Sequence, residues 1–110
     1  MKAYLIDEIG GRDMERVKEF LKEHAIRSGF DQVFWVPIPD DLLSEIQYLH
    51  VRCRPHVFAV ELGPDWIKLE FFVRTLKSMR CECPAYCTPV QRDYILRFAD
   101  GIIEQLNIHT

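Results

Sequence analysis

Two runs of strand-forming residues, Val57–Leu62 and Trp66–Val73, stand on either side of Gly63-Pro64-Asp65. β-branched and aromatic side chains favour extended backbone, and a Gly-Pro-Asp stretch interrupts it, so the segment reads as a β-hairpin. With Leu62 opposite Asp65, Val60 faces Ile67 and Phe58 faces Leu69. Side chains alternate across a strand, so this register puts Phe58, Val60, Leu62, Ile67, Leu69, Phe71 and Val73 on one face. The other face carries Val57, Ala59, Glu61, Trp66, Lys68, Glu70 and Phe72. A wholly apolar sheet face has to be covered by helices.

The rest of the chain supplies those helices. Ala3–Ile9 reads as a first strand, broken by Gly10-Gly11. Asp13 is a good N-cap for a helix with Met14, Val17, Phe20, Leu21 and Ala25 on one face, ended by Ser28-Gly29. Val33–Val36 is a second strand stopped by Pro37 and Pro39. With the first strand and helix it can form a right-handed βαβ unit if the two strands run parallel. Asp40 or Asp41 then caps a second helix through about Leu49, with Leu42, Leu43, Ile46 and Leu49 as its apolar face. Thr88-Pro89-Val90-Gln91 is a capping box with proline at the first helical position. It opens a long helix striped by Val90, Tyr94, Phe98, Ile102 and Leu106, broadened by Ile95, Ala99 and Ile103, in which Gly101 implies a close neighbour. The order β-α-β-α-β-β-α predicts an α+β fold: two layers, a mixed β-sheet with helices mainly on one face.

The 110 residues suit one domain, taken as 1–110. Apolar residues at 48% and charged residues at 28% exclude disorder as the main reading. A net charge of −3 argues against a generally basic nucleic-acid-binding surface. No apolar run approaches the roughly 18 residues of a membrane helix. Met1–Gly10 carries one lysine, a short apolar run and then Asp7 and Glu8, without a small-residue cleavage site, so no signal peptide is expected and the cytoplasm is the default location.

The chemistry lies in the cysteines. All four fall between positions 53 and 87: Cys81-Glu82-Cys83 is a C-x-C, Cys87 follows, and Cys53 sits between His50 and His56. Zinc takes four nitrogen or sulfur ligands in a tetrahedron, and close ligand pairs on turns deliver them. Cys53, Cys81, Cys83, Cys87, His50 and His56 are therefore candidate zinc ligands. The difficulty is distance. In the hairpin register above Cys53 faces position 74, seven residues short of Cys81, on the order of 23 Å of extended chain. The two groups meet only if the strand after Val73 ends early and folds back, with Lys77, Ser78 and Met79 as the bend.

The same residues admit other readings. The cysteines can pack as small buried hydrophobes, with His50 at a helix C-terminus. Iron–sulfur ligation by all four matches no common spacing. A thiol-redox role draws on Arg52, Arg54, Arg74, Lys77 and Arg80, since nearby cations lower a thiol's pKa, yet no C-x-x-C is present. The same cations can bind an anion, but Gly10-Gly11 matches no phosphate-loop pattern. A Cys–His nucleophile pair has no third orienting group in sequence. Glu61 and Glu70 are not cross-strand neighbours in the hairpin register and form no acid/base pair. Trp66 and Phe72 on the open sheet face lead us to expect a homodimer stacked through that face. The function expected is a non-enzymatic interaction or assembly domain with a zinc-binding corner. The alternative is a thiol-dependent redox or metal-handling protein using Cys53, Cys81, Cys83 and Cys87.

Overall fold

A computed structural model describes residues 2–77 and 81–110. The strands are β1 (Ala3–Ile6), β2 (Ile26–Arg27), β3 (Val33–Pro37), β4 (His56–Leu62), β5 (Ile67–Glu70), β6 (Phe72–Thr75) and β7 (Ala85–Tyr86). The helices are α1 (Gly11–His24), α2 (Glu45–Leu49) and α3 (Pro89–Gln105). The fold is α+β, as its patterning predicts. The sheet order is β1-β5-β4-β3-β2, with β6 continuing along β4 and β7 added beside β6. Every pairing among the described residues is antiparallel, so the expected parallel βαβ unit and the mixed sheet do not form. β1 and β3 are separated by β5 and β4. The reason is the short β2: α1 leads from one edge strand, β1, to the opposite edge strand, and β2 then turns back into β3.

The helix boundaries follow from local contacts. Gly10 holds the cap position of α1, whereas Asp13 lies in the first turn and pairs with Arg16 at 3.0 Å. A carboxylate is favourable there because it faces the positive end of the helix dipole. α1 stops at His24 rather than at Ser28, because Ala25 is extended and Ile26 already pairs with Trp35. Ser28 shapes the β2–β3 turn instead: its hydroxyl donates to the Val33 carbonyl at 2.7 Å and accepts from the Phe30 N–H at 3.0 Å.

The core lies between the sheet and two helices. Phe34, Val36, Phe58, Val60, Leu62, Ile67, Leu69 and Val73 meet Met14, Val17 and Leu21 of α1 and Ile95, Ala99 and Ile102 of α3. Phe58 is fully buried and meets Phe98 edge-on at 5.6 Å. The apolar hairpin face is thus the covered one. The buried line of α3 runs through Ile95, Ala99 and Ile102 of the expected stripe, but in the first turn Gln91 is buried and Val90 is 57% exposed. On the opposite face Phe72 meets Tyr86 edge-on at 5.3 Å and Arg74 stacks on it at 5.0 Å. The ring of Trp66 lies against Gly63, with Lys68 Nζ 5.9 Å from its centroid.

The hairpin register differs from the expected one. Val60 faces Leu69, two residues further along than expected, and Val57 faces Arg74, four residues further. The shift grows at Phe71, whose N–H and carbonyl leave β4 and bond to Lys2 and Cys87 at 3.0 and 3.1 Å. Each displacement is even, so the same side chains stay on the same faces.

Two glycines test this geometry with opposite signs. A Cβ at Gly63 would sit 2.0 Å from Trp66 Cε2, whereas one at Gly101 meets nothing within 4 Å, contrary to the close neighbour expected there. Gly101→Ala is expected to stabilise the fold by up to about 1 kcal/mol. Gly63→Ala is expected to cost about 1–3 kcal/mol and to shift tryptophan emission as the ring moves. Urea unfolding followed by fluorescence reads both.

Candidate metal centre

Three short elements meet at the end of the sheet where β4 begins. The first is the turn after α2. Cys53 N–H donates to the His50 carbonyl at 2.9 Å, closing a 3₁₀ turn over Val51–Cys53. In such a turn side chains three apart eclipse, so His50 and Cys53 project from the same side. The second is the C-x-C segment. The strand after Val73 does end early, at Thr75, and the chain returns as β7, with Ala85 opposite Val73. Continuing that register brings Cys83 level with Thr75, which itself pairs with His56 at the start of β4. The four-residue register shift already carries the position opposite Cys53 about 13 Å closer to Cys81. Shift and return together remove the distance problem. Of the expected bend only Lys77 is described; Ser78 and Met79, like Arg80, lie outside the described residues.

The third element is a buried polar bridge. Ser44, not Asp40 or Asp41, caps α2, and Gln47 completes a capping box with it. Asp40–Leu42 forms a separate 3₁₀ turn. α3 has the capping box expected of Thr88 and Gln91. Both glutamines have side-chain capacity left over. Gln47 Nε2 donates to the Cys83 carbonyl at 3.0 Å. Gln91 Nε2 donates to Gln47 Oε1 at 2.8 Å and to the Leu42 carbonyl at 3.1 Å. The C-x-C turn is thereby tied to the starts of α2 and α3. Thr75 Oγ1 donates to the Cys53 carbonyl and ties down the other ligand turn.

These elements bring four donors together. Cys81 Sγ lies 2.8 Å from both Cys53 Sγ and Cys83 Sγ, and His50 Nδ1 lies 3.1 Å from both Cys81 and Cys83 Sγ. All four donor atoms fall within 4.8 Å of one another. All four cysteines are free thiols. The set suits a tetrahedral ion: zinc–sulfur bonds of about 2.3 Å imply sulfurs about 3.8 Å apart, so Cys81 and its neighbours need to open by only about 1 Å. The group can hold a metal ion.

No protein-family model, curated protein or solved structure matches the chain. The reading of this site therefore rests on its geometry and its donors.

Cys87 and His56 are not in the group. Cys87 is half-buried below the start of α3, and burial pushes its thiol up to about 11. Its absence from the group means that the four-thiolate set needed for an iron–sulfur cluster is not assembled. His56 is 1% exposed, and neither ring nitrogen has a hydrogen-bond partner among the described residues. H-x-x-C on a turn and C-x-x-H running into a strand look alike in sequence. Only the turn lets both side chains point one way.

The thiols differ sharply. Cys81 is pushed down to about 6, chiefly by hydrogen bonds from Cys53 and Cys83, with His50 adding to them. Cys83 is pushed up to about 12 by burial and by Cys81. Cys53 is raised, first by Cys81 and then by burial. Two of the five cations expected to lower these thiols are engaged elsewhere. Arg54 binds Asp40 at 3.2 Å and stacks on Tyr48, and Arg74 binds Glu70 at 2.8 Å.

Two variants test the surroundings. Gln47→Ala leaves the Cys83 carbonyl and a Gln91 donor unpaired, with an expected cost of about 1–3 kcal/mol by urea unfolding. A double cycle with Gln91→Ala should be non-additive, because the two amides share one bond. The pKa of His56 is lowered, by burial first and Arg54 second. The unfolded chain therefore takes up this proton more readily, so stability is full above the ordinary histidine range and falls as pH drops below it. His56→Phe should show a shallower loss of stability between pH 7 and pH 5 than the parent protein; equal slopes would refute this role.

Proposed function

We propose that this protein is a non-enzymatic interaction or assembly domain built on a structural zinc centre, with His50, Cys53, Cys81 and Cys83 as ligands. The observation that carries the reading is the convergence of three sulfurs and one imidazole nitrogen within 4.8 Å from two separate stretches of chain. Three thiolates and an imidazole favour zinc over the oxygen-seeking calcium and magnesium. Four protein donors fill a tetrahedral shell, and a filled shell is the mark of a structural site: no position remains for a catalytic water or a substrate. The ion would join the turn after α2 to the turn before β7, two segments that no disulfide bridges.

A second reading is favoured by one observation. Cys81, pushed down to about 6 and beside two further thiols, would be a thiolate at neutral pH. That is the character of a redox or metal-handling thiol. Metal content separates the two.

Protein purified without chelator should contain about one zinc per chain, and chelation should unfold it. Cobalt substitution should give the absorption of a tetrahedral thiolate site. Cys83→Ser and His50→Ala should lose the metal, whereas Cys87→Ser and His56→Phe should keep it. Metal-free protein that is indifferent to chelator, with Cys81 open to rapid alkylation, would overturn the zinc reading in favour of the thiol reading.

A further inference from the structure

We propose that the α2 turn is a self-association surface, through which two copies of this chain pair about a two-fold axis. α2 has its polarity inverted. Its one buried side chain is Gln47, while Ile46, Tyr48 and Leu49 are 37%, 55% and 68% exposed. Val51, in the turn that follows, is 63% exposed. Of the apolar face expected for this helix, Ile46 and Leu49 lie on the surface, whereas Leu42 and Leu43 precede α2 and pack against the core. The cause is the buried Gln47–Gln91 bridge, which takes the inward position.

The charges at the two ends of this patch identify the occupant. Glu45 precedes it and Arg52 follows it, both exposed and neither in an ion pair among the described residues. Neighbouring Arg54, by contrast, is held by Asp40 and by the Tyr48 carbonyl. A segment with an unpaired acid at its start and an unpaired base at its end is complementary to itself when reversed. Two-fold pairing sets Glu45 of each copy against Arg52 of the other, so both pairs form at once. At the Arg52 end is a hollow of about 410 Å³ lined by Leu49, His50, Val51, Arg52 and Cys53, able to take an apolar side chain of the second copy. Exposed apolar side chains, hollow and both halves of the charge pair all fall within residues 45–53, which suits a second copy better than an unrelated partner. The aromatics of the open sheet face, by contrast, are engaged within the chain, Phe72 with Tyr86 and Trp66 with Gly63. The proposal goes beyond the zinc reading and needs only the shape of this turn.

Sedimentation velocity over a range of concentrations tests it. The parent protein should be a dimer. Leu49→Glu should raise the dimer dissociation constant by about ten-fold or more. Glu45→Arg and Arg52→Glu should each weaken it several-fold, and the double reversal should recover to within about two-fold of the parent. All these positions are exposed, and circular dichroism is the check that each variant folds. A parent protein that is monomeric throughout would overturn the proposal. So would a dimer indifferent to Leu49→Glu, or a double reversal no better than the singles. Metal content is read on every sample. A dimer without zinc leaves this proposal standing and removes the zinc reading; a zinc-loaded monomer does the reverse.

Discussion

The carbonyl oxygen of Cys83 accepts from Gln47, and the oxygen of that same amide accepts from Gln91. Through two buried amides the C-x-C turn, the start of α2 and the start of α3 become one unit at the end of the sheet. Each such bond is worth only about 1 kcal/mol net, too little to assemble a domain. Assembly comes from the apolar layer between sheet and helices. The amides decide position: left unpaired in this buried setting they would cost more than they contribute when paired, so competing placements of the turn are disfavoured. Gln91 can take part because Pro89 and Thr88 fix where α3 begins.

The second constraint is the break at Phe71. Up to Glu70 the strand pairs with β1 and β4; beyond it β6 pairs with β4 and β7. At the break Phe71 bonds to Lys2 on one side and Cys87 on the other, so its polar groups remain satisfied when they leave the β4 ladder. The displacement along β4 moves the C-x-C segment toward Cys53, and β7 returns it to the level of Thr75. Sheet geometry thus turns a wide separation along the strand into contact between sulfurs.

Fixing Gln47 inward has a consequence for the surface. α2 has only five residues and cannot bury two faces. With the amide facing in, Leu49 and Val51 face out on either side of the candidate ligand His50. The same turn that holds two candidate metal ligands therefore carries the proposed dimer contact. A metal ion binding His50 and Cys53 would stiffen that patch.

Much of this was readable without coordinates. Alternation in Val57–Leu62 and Ile67–Val73 identifies the hairpin and its buried face, because one face must leave water whatever the register. The Thr88–Gln91 box marks the start of α3, since local hydrogen bonds decide it. The matching Ser44–Gln47 box was equally present in the residues, masked by Asp40 and Asp41, which offer caps of their own. Sequence also confined the candidate ligands to Cys53, Cys81, Cys83, Cys87, His50 and His56. Which of these converge was settled by long-range pairing: the Phe71 break, the return through β7 and the two-amide bridge join residues 36 and 44 positions apart. Local preference carries no information about such contacts, because their energy exists only once the sheet and helices are in place.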